Sequence, residues 1–77
     1  MEDFALSELR PYNTCTVTSV GGSVAERLQV MGVTPGTKLT WLFDAPCGDP
    51  VAYCVRGAVI ALRKRDAAFI RVTQQVR

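Results

Sequence analysis

The chain has no histidine at all, and among its 77 residues only three are cysteine and one is tryptophan. Without imidazole it lacks both the commonest general base and the commonest nitrogen ligand for metals. The cysteines, Cys15, Cys47 and Cys54, are odd in number and show no C-x-x-C spacing, which argues against a disulfide scaffold. The longest apolar runs are four or five residues, far below the ~20 that a membrane-spanning helix needs. The opening M-E-D-F-A-L-S-E-L has neither a basic n-region nor an apolar h-region, so no signal peptide is expected and a cytoplasmic location is. A formal charge of +2 is too small to imply phosphate binding by itself, and no nucleic-acid partner is expected.

What the sequence does contain is an ordinary globular composition, 48% apolar and 21% charged. The length supports one domain, residues 1–77 with a core at about 6–72, which buries only roughly 60% of its unfolded surface. Leu6 to Pro11 reads as a short helical turn or irregular lead-in. Cys15 to Val20 is rich in β-branched residues and reads as a strand with Cys15, Val17 and Ser19 on one face, ended by Gly21-Gly22. Ser23-Val24-Ala25-Glu26 fits a capping box opening a helix over about 23–31. Val24, Leu28 and Met31 then form its apolar stripe. Gly32 stands where a left-handed C-cap belongs, with Val33 placed to touch Leu28, and Thr34-Pro35-Gly36-Thr37 reads as a type II turn.

Beyond the turn, Lys38 to Phe43 reads as a strand with Leu39, Trp41 and Phe43 on one face. Ala45-Pro46-Cys47-Gly48-Asp49-Pro50 is a loop whose prolines exclude regular pairing. Val51 to Val55 and Ala58 to Leu62 are two strands joined at Arg56-Gly57. A helical turn near 64–68 precedes a closing strand at Phe69 to Val72, and a loose tail is expected from Thr73. Five or six short strands with one inserted helix describe a mainly β, small SH3-like barrel, whose closure removes edges that so small a chain cannot otherwise cover.

Three motifs together resemble a known family. L-x-V-M-G-V-T-P-G-T-x-L is followed by A-P-C-G-D-P-V and then by V-R-G-x-x-x-A-L-R-K-R-D-A-x-x-I-x-V. Over Leu6 to Val72 this is similar to ferrous iron transport protein A, FeoA. The resemblance implies a small cytosolic, non-enzymatic accessory protein of bacterial ferrous iron uptake, acting at the cytoplasmic side of the membrane GTP-hydrolysing transporter FeoB and peripheral to the membrane at most. The same module also closes metal-dependent repressors of the diphtheria toxin repressor type, so a metal-responsive regulatory module is the alternative. Self-association is left open.

Cys47, Asp49 and Cys54 are weak metal candidates, because zinc sites normally assemble four ligands at short paired spacings and free cysteine mostly behaves as a small hydrophobe. No cofactor is expected, apart from a weak or regulatory divalent metal. Asp49 between Gly48 and Pro50 has no histidine or second carboxylate to couple with, and is expected to hold the turn. A cysteine nucleophile would lack its activating base, so no enzyme is expected. Arg63, Lys64 and Arg65 form the basic cluster, part of it a candidate for an acidic partner surface. Val30 falls about 120° from the buried helix stripe, beside Arg27, and that edge is a candidate for partner docking. Gly32, Pro35, Gly36, Pro46, Gly48, Asp49, Pro50 and Gly57 are read as the structural turn motif.

Overall fold

Six strands pair antiparallel throughout, in the spatial order β1-β6-β2-β3-β4-β5. A computed structural model describes residues 2–74. The strands are β1 (Glu2–Ala5), β2 (Thr14–Val20), β3 (Lys38–Asp44), β4 (Val51–Val55), β5 (Ala58–Leu62) and β6 (Ile70–Gln74). Between β2 and β3 lies α1 (Ala25–Val30), and between β5 and β6 the single turn α2 (Lys64–Ala67). Short 3-10 turns at Leu6–Glu8 and Gly22–Val24 complete the regular structure.

One core joins all these pieces. Val17 from β2, Leu39 from β3, Tyr53 from β4, Leu62 from β5 and Val72 from β6 are buried together with Leu6, Leu28 and Val33. For one cluster to be shared by five strands and the helix, the sheet must wrap around it rather than lie flat. Two irregularities in register mark that bending, between Val17 and Ser19 in β2 and between Trp41 and Phe43 in β3. The expected mainly β architecture, with its inserted helix and late helical turn, is the one observed, but the expected closure is not: the curved sheet is open in its hydrogen bonding, with β1 and β5 as its edges.

The helix end forms as the sequence indicates. The Val33 N–H donates to Leu28 O at 2.8 Å and the Gly32 N–H to Gln29 O at 3.0 Å, the two bonds of a Schellman motif. Gly32 takes φ +89°, open to glycine but costly to other residues. The type II turn follows, with Gly36 at φ +92° and the Thr37 N–H donating to Thr34 O at 3.0 Å. The buried Thr37 then binds helix end and turn together: its hydroxyl accepts from the Thr34 N–H and donates to Gly32 O, each at 3.2 Å.

Several expectations are corrected. The lead-in expected from Leu6 contains the 3-10 turn Leu6–Glu8, and ahead of it Glu2–Ala5 adds a strand that the sequence did not indicate, held by pairing with β6 from Glu2↔Gln74 to Ala5↔Arg71. Thr73 and Gln74 accordingly belong to β6 and not to a tail, while the rest of the expected tail lies outside the described residues. The capping box at Ser23 does not form. A 3-10 turn leads into α1, no side chain caps it, and the entry is fixed from Phe69, just ahead of β6, instead. The Gly21 N–H donates to Phe69 O at 2.9 Å, and the Phe69 ring lies so close over Gly22 that a Cβ there would meet it at 3.0 Å.

The bulge in β3 turns Phe43 away from the face of Leu39 and Trp41, leaving it 59% exposed instead of in the core. The bulge in β2 likewise leaves Ser19 exposed, off the face of Cys15 and Val17. In β4, Ala52 is buried along with Val51 and Tyr53, so that strand is covered on both faces and does not alternate.

Candidate functional site

The short helix α1 presents one face to the core and one edge to its surroundings. Leu28 is wholly buried beneath it, while Val30 at its last turn is 88% exposed, as its position on the helix implied. Arg27 lies one turn before Val30 on the same edge. Its Nη2 reaches Asp66 Oδ2 at 2.7 Å, tying α1 to α2 across 39 residues of sequence. Asp66 is mostly covered, its side chain 18% exposed. On the other flank of α1, a shallow cleft of about 460 Å³ is lined by Ala25 and Gln29 of the helix, Ser19 and Val20 of β2, and Val33, Thr34 and Pro35 of the turn. Val30 therefore stands between an ion pair and an apolar cleft, on a helix clamped at its C-terminal end.

The basic cluster occupies the start of α2. Arg63, Lys64 and Arg65 are all exposed, and among the described residues none of them is in an ion pair. Their backbone is positioned by the proline-bounded loop, because Asp49 Oδ1 accepts from the Lys64 N–H at 2.9 Å. Asp49 thus supplies, from 15 residues away, the capping acceptor that the first turn of α2 lacks from its own N-cap residue. Asp49 was expected to serve its own turn. Its carboxylate serves α2 instead, beyond the β4–β5 hairpin.

The polar groups of the loop before β4 are taken up by hydrogen bonds within the chain. The Cys47 thiol donates to the Asp49 carbonyl oxygen at 3.1 Å, and the Asp49 carboxylate is engaged with Lys64, so neither is aimed at a common ligand position. Among the described residues no three cysteine, aspartate or glutamate side chains converge as a metal site would require. Burial pushes the Cys15 thiol up to about 11, which keeps it protonated and poor both as a nucleophile and as a ligand. Burial, with smaller contributions from Cys15 and Asp49, pushes the Tyr53 phenol up to about 12.

Some features were beyond the reach of sequence reasoning. Asp66 as the partner of Arg27 and Thr37 as the bond between helix end and turn depend on long-range or buried geometry. The exposure of Phe43 on the outer side of the sheet follows from a register shift that composition does not signal.

A wrapped antiparallel sheet with one inserted helix defines a small SH3-like domain. The FeoA domain model matches residues 4–74, and the chain belongs to the FeoA family. Among solved structures it is similar to the FeoA-like protein of Clostridium acetobutylicum, with 28% identity and a TM-score of 0.90 over 100% of this chain and 92% of the other. The FeoA of Stenotrophomonas maltophilia, solved as a zinc complex and described as a prokaryotic SH3-domain protein, is 28% identical with a TM-score of 0.80, covering 91% of this chain and 89% of that one. A manganese-dependent transcriptional repressor shares the fold at 18% identity and a TM-score of 0.84, over 95% of this chain and 37% of the repressor. A search of curated protein sequences found no match. No helix among the described residues is long and apolar enough to cross a membrane.

Proposed function

We propose that this chain is a non-enzymatic accessory protein of bacterial ferrous iron uptake, acting in the cytoplasm by protein–protein contact with the membrane GTP-hydrolysing transporter FeoB. The observation that carries this reading is the FeoA match over residues 4–74. A suggested role of the S. maltophilia FeoA as a bacterial ferrous iron transport activating factor supports it. Val30 and the unpaired cations Arg63, Lys64 and Arg65 are the residues assigned to contact, with Arg27 holding the helix edge in place through Asp66. The reading needs no resident cofactor and no nucleic acid, and a divalent metal would enter only as a regulatory ligand.

The test is retention of the detergent-solubilised cognate transporter on the immobilised chain, with and without ferrous ion and guanine nucleotide. Specific retention that Val30→Glu weakens, at unchanged melting temperature, is the expected result. Absence of retention in every condition, with a ferrous-dependent shift of the chain's own spectrum, would favour the metal-responsive regulatory module instead.

A further inference from the structure

Strand β5 is an edge of the sheet that no other strand among the described residues covers, and its sequence is Ala58-Val59-Ile60-Ala61-Leu62 without a charge or a proline. Sheet edges of this kind template the addition of another strand unless charge, proline or a covering segment blunts them. The opposite edge, β1, is blunted by its own acidic residues, with Asp3 exposed and paired to Arg71. No charge within β5 blunts it.

The turn joining β4 to β5 fixes which backbone groups are free. Arg56 at φ +52° and Gly57 at φ +82° form a two-residue type I′ connection that closes on Val55↔Ala58. That closing pair exchanges both of its hydrogen bonds, and hydrogen-bonded pairs then alternate along an antiparallel ladder. Ala58, Ile60 and Leu62 therefore point their N–H and C=O groups at β4, while Val59 and Ala61 point theirs outward. Among the described residues no further strand or loop backbone takes them up. The side chains of the same two residues are exposed, Val59 at 62%, and across the ladder lie Cys54, opposite Val59, and Ala52, opposite Ala61 and next to Phe43. The edge thus offers backbone donors and acceptors beside an apolar outer face.

Charge decides what fits there. Arg56 precedes the strand and Arg63, Lys64 and Arg65 follow it, all exposed. A second copy added antiparallel about Ile60 would set Arg56 against Lys64 of the other molecule at both ends, like charge on like charge. A segment with an apolar centre and acidic ends meets the opposite charge at both ends. We propose that β5 is a strand-addition site for an extended segment of a protein partner. That segment has a centre of about five β-forming residues, some 17 Å long at ~3.3 Å per residue, flanked by aspartate or glutamate, and main-chain bonds to Val59 and Ala61 hold it. This asks only for a protein partner and does not require that partner to be the transporter, so a failed transporter pull-down leaves it standing.

The experiment titrates the isotope-labelled chain with the capped peptide Asp-Glu-Val-Thr-Val-Thr-Val-Glu-Asp and follows amide shifts and hydrogen exchange. The Val59 and Ala61 amides should shift and become protected, with affinity about tenfold lower for a peptide bearing lysine at the four acidic positions, by the loss of complementary end charges. Ala61→Pro removes an outward N–H without touching the bonds to β4, as edge prolines do, and should abolish binding while the chain still melts cooperatively. Val59→Asp, which avoids proline, should weaken binding through repulsion of the acidic guest. Shifts confined to the cleft beside α1, equal binding of the lysine-ended peptide, or free-chain dimerisation lost in Ala61→Pro would each overturn the assignment.

Discussion

The Asp49 carboxylate accepts a hydrogen bond from the backbone N–H of Lys64 at 2.9 Å, so the loop between β3 and β4 caps the helical turn that carries the basic cluster. A carboxylate at a helix start satisfies an otherwise free amide and faces the positive end of the peptide dipoles. Asp49→Ala should lower stability by about 1 kcal/mol in urea unfolding, within the range of lost N-caps. Asp49→Asn, which keeps an acceptor oxygen, should cost less.

Arg27 and Asp66 form a pair at 2.7 Å that is open on the arginine side and mostly covered on the aspartate side. A double-mutant cycle of Arg27→Ala with Asp66→Ala should return a coupling of about 0.5–1 kcal/mol, the upper part of the range for partly exposed pairs. Coupling that vanishes at low salt would show that the two helices are not held by this contact. Val30→Glu, one turn along, should leave stability within about 0.5 kcal/mol of the parent, as exposed substitutions do.

Gly32 sits at φ +89° with open space where a Cβ would point, so the cost of replacing it is conformational and not a clash. Gly32→Ala should destabilise by about 1 kcal/mol and Gly32→Val by more, because a β-branched residue resists positive φ most strongly. Gly32→Asn should be the mildest. Equal melting temperatures for the valine variant and the parent would contradict the assigned backbone geometry.

Cys15 has an ordinary thiol value of 9.0 that burial raises to about 11 in the fold. Below pH 9.0 the thiol is protonated in both folded and unfolded chains, so its contribution is complete there. As pH rises toward about 11 the unfolded chain releases a proton that the fold retains, and stability falls. Tyr53 extends the same trend from 10.0 to about 12. The difference in urea midpoint between the parent and Cys15→Ala should therefore shrink steadily above pH 9, as the parent loses the part that the variant never had.

Thr37 is buried, with its hydroxyl shared between the Thr34 N–H and the Gly32 carbonyl. Thr37→Val preserves shape and removes both bonds, and should cost about 1–3 kcal/mol by stranding the two backbone groups. Thr37→Ser should restore most of that loss in thermal unfolding.

Features set by neighbouring residues were legible in the sequence. Gly32, Pro35 and Gly36 act through their own backbone preferences, and both the helix ending and the turn formed where they stand. The exposure of Val30 followed equally from helix geometry and the Val24–Leu28 stripe. What could not be read depends on partners distant in sequence. β1 is four residues without alternation, and it exists as a strand because β6 lies beside it. Phe43 looked internal until the bulge after Trp41 reversed its side. The capping box at Ser23 had the right residues, but Phe69 decided how the chain enters α1. In the candidate site, the exposed valine and the basic cluster could be named in advance, whereas the Asp66 and Asp49 contacts that position them could not.

The pairing of Glu2 with Gln74 places the first and last described residues next to each other. The first and last described residues thus form a single eyelet at one edge of the sheet. Joining the two ends by a short linker and reopening the chain at Arg56-Gly57 should give a permuted molecule that still folds, since neither operation asks a buried strand to change its neighbours.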